Sequence, residues 1–387
     1  MKQNFLALLF FFTTFFIQAQ EWIQIDSYPG QGRNHPITFS IGDYGYVLAG
    51  QNENDYFTKD FYRFDSTNET WEQLSNFPGY PRGYSYGISF DGKAYVGFGL
   101  YDMGPLNDWW SYDPTNEEWT QLEPCPCDAR LHPAMLEVDG KIYVGLGATE
   151  QLDLKDWWVY DIEDDSWEQK EDFPADERHH PYFFSIEGIA YVGFGHGGDF
   201  IYNDFYKYDP SNDSWEQVSS IPAEGRVAGT QFSFDGKGYA LSGDGDDHSF
   251  MQTGEFWQYD PTLDQWSSKP PHPGLSVWAP GSFVIGSTLY FTSGVQYDDW
   301  IAHTLNDVWK YDLSTIDIEE PDDLDQTFYP NPATDFVKLP DEGYYDVYDL
   351  KGNLVLSGSS RFVDISNLSF GTYMISFNEV TLRLIKQ

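Results

Sequence analysis

The sequence predicts an all-β chain built as a closed array of repeats, and three observations carry that expectation. Tryptophans stand at 22, 71, 119, 167, 215 and 266, in steps of 49, 48, 48, 48 and 51 residues. Two phrases return with each step: one like "AYVGFG" at 94–99, and one like "WWSYDPTNEEWTQL" at 109–122, which reappears as "WWVYDIEDDSWEQK" at 157–170 and "FYKYDPSNDSWEQV" at 205–218. The chain also opens its repeats with an orphan tryptophan strand, "EWIQI" at 21–25, while the last repeat, ending at Ile316, lacks that strand. A period near 50 residues points to a β-propeller or a similar array. The two incomplete ends together make one blade, which gives six blades and leaves no open sheet edge.

The elements follow in order. The first residues, "MKQNFLALLFFFTTFFIQAQ", carry Lys2, an apolar run from Phe5 to Ile17 and the small Ala19. They read as a secretory signal peptide over 1–19, too short and singly flanked for a membrane span. The repeats then fill 20–316. Each reads as four short strands: one starting at an arginine, a turn such as Asp91-Gly92 or Asp139-Gly140, the "YVGFG" strand, a longer loop, the "W-x-YD" strand, and a turn built on Asp and Asn before the tryptophan strand. Asp-Gly suits a two-residue hairpin, and Asp and Asn turn the chain by bonding their own backbone. Aromatic residues make up 19% of the chain, which supports packed β structure. Residues 317–327, "DIEEPDDLDQT", read as an acidic linker, and 328–387 as a small all-β domain with alternating strands and glycine turns.

The repeated phrases resemble kelch repeats over roughly 20–316, through the glycine-ended second strand, the Tyr-Asp-Pro turn and the tryptophan about six residues on. They depart from that family where the strand ends Gly-x-Gly or x-Ser-Gly instead of in adjacent glycines. The tail is similar to the C-terminal sorting domain of the type IX secretion system of Bacteroidetes. The matching residues are Tyr329, Pro330, Asn331 and Pro332, then "YDLKGNLV" with Gly352, "LSFGTYMI" with Gly371 and Tyr373, and a basic last strand ending at Lys386. That resemblance implies passage through the inner membrane on the signal peptide, export by the type IX machinery, and release or anchoring at the cell surface.

Composition narrows the partners. With 62 Asp and Glu against 21 Lys and Arg, the net charge of −41 repels nucleic acid and anionic membrane. The only cysteines, Cys125 and Cys127, are too close in sequence for an unstrained disulfide, so the fold is expected to rest on its core. Motifs for nucleophilic catalysis, phosphate binding or a zinc protease are absent. The loop "GDGDDHSF" at 243–250 offers Asp244, Asp246 and Asp247 as a weak calcium candidate, and no other cofactor is expected.

The regular signal is basic. Arg33, Arg82, Arg130, Arg178 and Arg226 recur in steps of 49, 48, 48 and 48, with Ser276 and Val277 at the sixth place. Two readings stay open: each guanidinium pairs with a neighbouring carboxylate or carbonyl, or the five form a cationic channel mouth for an anionic group such as a sugar carboxylate. His35, His132 and His180 follow three of these arginines, in "RNHP", "RLHP" and "RHHP". Repeats one and four stand opposite in a six-fold array, so these imidazoles are expected not to converge on one ion. All eight histidines fall at the arginine end of the strands, where the long loops also lie. The expected function is non-catalytic binding of a glycan or extracellular protein at that loop face, using the five arginines with His35, His132 and His180. The alternative is a carbohydrate-active enzyme resembling six-bladed sialic-acid mutarotases, with the arginines on the substrate carboxylate.

Overall fold

A computed structural model describes residues 22–251, 253–298, 301–316, 335–339, 343–349, 351–377 and 380–386. The signal-peptide and linker expectations, and Tyr329 to Pro332, lie outside these residues. The chain divides into two compact bodies, Met1–Ile316 and Asp317–Gln387. Both are all-β: among the described residues only two short 3-10 turns, Asp246–His248 and Leu313–Thr315, interrupt the strands.

The larger body contains six antiparallel sheets built to one plan. The third shows it best. Strands Ala134–Val138, Lys141–Gly145, Trp157–Asp161 and Ser166–Lys170 lie side by side in chain order. Val138 pairs with Lys141 across Asp139-Gly140, both of which have positive φ, 49° and 80°. That is the backbone of a two-residue hairpin whose twist matches its strands. At the turn between the third and fourth strands Asp161 accepts a bond from the Glu163 N–H, and the corresponding Asp113 and Asp209 do the same for Thr115 and Ser211. Burial falls outward: the second strand is buried along four of five residues, the fourth along none. The second strand can be apolar on both sides because neighbouring sheets cover both its faces.

Neighbouring sheets are joined by side chains the repeat also specifies. The outer tryptophans Trp167, Trp215 and Trp266 donate their indole N–H to the carbonyls of Glu123, Glu171 and Ser219 in the preceding connection, each at 2.9 Å. Trp109 and Trp157 are wholly buried between sheets, edge-on to Trp167 and Trp215. The N-terminal strand Ile23–Ile25 pairs with Val308–Asp312, as fourth strand of the sixth sheet.

The tightest link is backbone to backbone. The glycine after each second strand donates its N–H to the residue at the arginine position of the following repeat: Gly50 to Arg82, Gly99 to Arg130, Gly147 to Arg178, Gly195 to Arg226 and Gly243 to Val277. Gly294 of the sixth repeat donates to Arg33 of the first, at 2.7 Å. The glycines have positive φ, 88° at Gly147, where a Cβ would lie 2.7 Å from the Leu131 carbonyl oxygen. No side chain fits there. The residue before each is also left-handed: Ala49, Phe98, Leu146, Phe194, Ser242 and Ser293 have φ from 55° to 65°.

The smaller body pairs Phe336–Lys338 with Phe362–Asp364, and orders a second sheet as Leu354–Ser359, Tyr344–Asp349, Gly371–Phe377, Val380–Lys386. Val337, Val347, Val363, Ile375 and Leu384 form its shared core. Gly352, at φ 83°, turns the chain beneath Asp349, whose carboxylate accepts from the Lys351 and Asn353 N–H groups. Tyr373 donates to the Ser369 carbonyl, and the Lys386 ammonium lies 5.3 Å from the Phe370 ring. These residues build the domain's turns and last strand.

Candidate functional site

The five arginines are internal. Each is 0% exposed, and each meets a carboxylate that opens the third strand of its own repeat. Arg130 shows the geometry: Nη1 and Nη2 donate to both oxygens of Asp156 at 2.7 and 2.8 Å, Nη1 also to the Leu146 carbonyl at 3.1 Å, and Nε to the Asp128 carbonyl at 3.0 Å. Arg33 holds Asp60 in the same fork, Arg82 holds Asp108, and Arg178 holds Asp204. Arg226 reaches Glu255 by one contact of 3.0 Å. In Arg33, Arg82, Arg130 and Arg178 the planar fork is taken up by both carboxylate oxygens and by backbone carbonyls, whereas Arg226 makes only the Glu255 contact and its Nε and Nη1 are buried without a partner. The cationic mouth is therefore corrected: these charges are consumed within the fold. The left-handed residue before the glycine supplies one of the carbonyls, which gives the strained turn a partner.

Burial alone lifts the Asp60 and Asp156 carboxyls, but the bonds and charges of Arg33 and Arg130 outweigh it and hold both below the usual range. The sixth repeat is the control. Val277 fills the arginine place, the carboxylate persists as Asp307, and burial raises it against the Trp309 indole and a backbone hydrogen bond, with no guanidinium to offset it.

Two residues after each arginine position the backbone turns left-handed again. His35, Tyr84, His132, His180, Ala228 and Ala279 have φ of 48°, 62°, 50°, 54°, 55° and 51°. Amides link these positions directly: His132 to Tyr84 at 2.8 Å, His180 to His132 at 3.2 Å, His35 to Ala279 at 3.0 Å and Ala279 to Ala228 at 2.7 Å. This brings the three histidines together, contrary to the expectation from repeat count. His35 and His180 approach to 2.9 Å between Nε2 atoms, and the His132 and His180 ring centres are 3.1 Å apart. Counting repeats treats opposite sheets as distant, but at this level the strand starts close to within a side chain's length.

The cluster is buried, His132 to 4% exposure, and lines a cavity of about 10 Å³ with Tyr84, Tyr86 and Ala279. Burial pushes the His35 imidazole down to about 3 and holds His132 and His180 well below the usual value, helped by the neighbouring rings, so all three are neutral near pH 7. His35 Nδ1 donates to the Asn34 side-chain oxygen at 2.8 Å, which leaves its Nε2 lone pair facing inward. Neither His132 nitrogen has a partner. Tyr86 also borders a second cavity of about 580 Å³ lined by all six first strands, among them Thr38, Ser89, Glu137, Ser185 and Asp235. From His132 and His180 a file of rings continues outward through His179, bonded to Asp153 at 2.6 Å, to His196 and His248.

Other candidates separate. In the calcium candidate loop Asp244 is buried and Asp246 exposed, and the side chain of Asp247 lies outside the described residues. Cys125 and Cys127 are joined in a disulfide, which their closeness in sequence argued against.

Two outcomes follow. Arg130→Ala leaves the Asp156 carboxylate half-buried without its counter-charge and is expected to cost about 3 kcal/mol in chemical denaturation. Arg130→Lys should recover only part, because an ammonium cannot reproduce the fork. Burial raises Asp244 to about 7. An acid whose folded value lies above its unfolded value, about 4, loses stability as pH rises between the two. Asp244→Asn should therefore flatten the decline between pH 4 and 7, and gain about 1–3 kcal/mol at pH 8.

Comparison with known proteins bears on the smaller body. Residues 327–387 match the family described as secretion system C-terminal sorting domain. No curated protein matches the chain. No helix among the described residues is long and apolar enough to cross a membrane. The C-terminal region of this chain is thus a type IX sorting domain, which supports export by that system to the cell surface or beyond.

Proposed function

We propose that the larger body is a six-bladed kelch-like propeller, exported by its sorting domain, that binds an extracellular protein at the loop face next to the histidine cluster. The propeller reading is supported by the hydrogen bond from Gly294 back to Arg33 and by the pairing of Ile23–Ile25 with the last sheet. Signal peptide over 1–19, propeller over 20–316 and linker over 317–327 complete the assignment.

One observation carries the binding reading. The loops between second and third strands end in a large apolar side chain in five of the six repeats: Tyr56, Met103, Leu152, Phe200 and Ile301, each between 61% and 79% exposed. Antiparallel order puts all five at the arginine end of their sheets. Exposed apolar groups recurring at one end of a rigid scaffold mark an interaction surface. Met103, Leu152 and Ile301 have no flat ring for a sugar to stack on, which favours protein over glycan. Exposed Glu53, Asp55, Asp102, Glu150 and Asp199 surround them, so the complementary partner has a basic rim. The mutarotase alternative loses its motivation, because the arginines it would use are committed internally.

The full chain and a Met103→Ser/Phe200→Ser variant, each immobilised, can be compared against envelope proteins of the producing bacterium and against a glycan array. Protein captured by the native chain should fall at least tenfold with the variant, at unchanged melting temperature. Equal capture by both, or glycan binding that survives the variant, contradicts the assignment.

A further inference from the structure

We propose that His35, His132 and His180 form a three-histidine site for one first-row transition-metal ion, with zinc as the reference occupant. This is independent of the loop-face reading. One nitrogen from each ring lies within 4.8 Å of the others, and two of them are already 2.9 Å apart. Three nitrogens held at roughly 2.0–2.1 Å from one ion stand about 3.0–3.6 Å from each other. Modest side-chain adjustment therefore suffices.

Four features point to a ligand and away from simple packing. Both nitrogens of His132 are buried without a partner, a desolvation cost that packed rings alone do not offset. The Nε2 atoms of His35 and His180 stand 2.9 Å apart, the separation of a shared proton or of two ligands to one ion, beside a space of about 10 Å³ with room for a single atom-sized occupant. The other nitrogen of His35 is already bonded to Asn34, the outer partner that fixes the ring of a metal ligand. Finally, the donors are all imidazole. Neutral nitrogen ligands suit zinc, copper, nickel or cobalt and disfavour calcium and magnesium, which prefer oxygen. Three protein ligands leave the fourth coordination position for water or another small donor.

The carboxylate-rich surface binds cations loosely, so the experiment must discriminate imidazole from oxygen ligation. The full chain is refolded with zinc, washed with excess magnesium, and analysed for bound metal; a parallel sample is loaded with Co²⁺ and its visible absorption recorded. The expected result is one zinc per chain and the strong absorption of nitrogen-ligated, low-coordinate cobalt. His132→Gln and His180→Gln should weaken zinc binding at least 100-fold, while His303→Ala, in an exposed hairpin, should leave it unchanged. Zinc removed completely by the wash, or only the weak absorption of oxygen-ligated octahedral cobalt, overturns the proposal in the native chain whether or not the variants fold. Retention of one zinc by a folded His35→Gln/His132→Gln/His180→Gln variant overturns it equally.

Discussion

The larger body depends on a buried guanidinium held by a carboxylate about twenty-six residues later, as Arg130 is by Asp156. One fork ties the start of a first strand to the start of the third strand in the same repeat, and a further Nη1 bond holds the turn after the second. The arginine's own carbonyl then accepts the glycine N–H of the preceding repeat. A single residue thus organises its own sheet and joins it to the one before. A cation so placed is stable only with its charge and donors met, and four of the five forks meet both carboxylate oxygens.

Fixing the arginine also fixes the residue two places on, which the left-handed backbone directs among its counterparts in the other repeats. The scaffold needs a side chain there but not a particular one, and the chain uses histidine three times, tyrosine once and alanine twice. The two alanines leave room that three histidines and Tyr84 occupy; His35 lies against the Tyr84 ring at 3.8 Å. Structural constancy at one position thereby creates chemical freedom at another. In a protein of net charge −41, that position is also shielded from the acidic exterior and presents neutral nitrogen donors.

Much of this was legible in the residues. The period, the Asp-Gly hairpins and the orphan N-terminal strand point to the sheets and their pairings. The fate of the arginines was visible too, since an acidic residue opens every third-strand phrase at positions 60, 108, 156, 204, 255 and 307. It was hidden by abundance: among 62 carboxylates, a regular one resembles background. The histidine cluster was illegible for a different reason. Position within a repeat gives the level of a residue, but its distance from the opposite sheet depends on how closely the strand starts approach, and on a left-handed φ that non-glycine residues rarely adopt. The disulfide between Cys125 and Cys127 escaped because sequence proximity argues against it, whereas the turn they occupy brings the Cα atoms to 5.1 Å.

Native-state amide hydrogen exchange reads directly the backbone linkage of every repeat to the next, with the sixth returning to the first. The amides of Gly50, Gly99, Gly147, Gly195, Gly243 and Gly294 should all be protected and should exchange together, at the rate of global unfolding. Exchange of the Gly294 amide at the rate of an exposed loop, with the other five protected, would mean that the first and last repeats are not joined and would contradict the account.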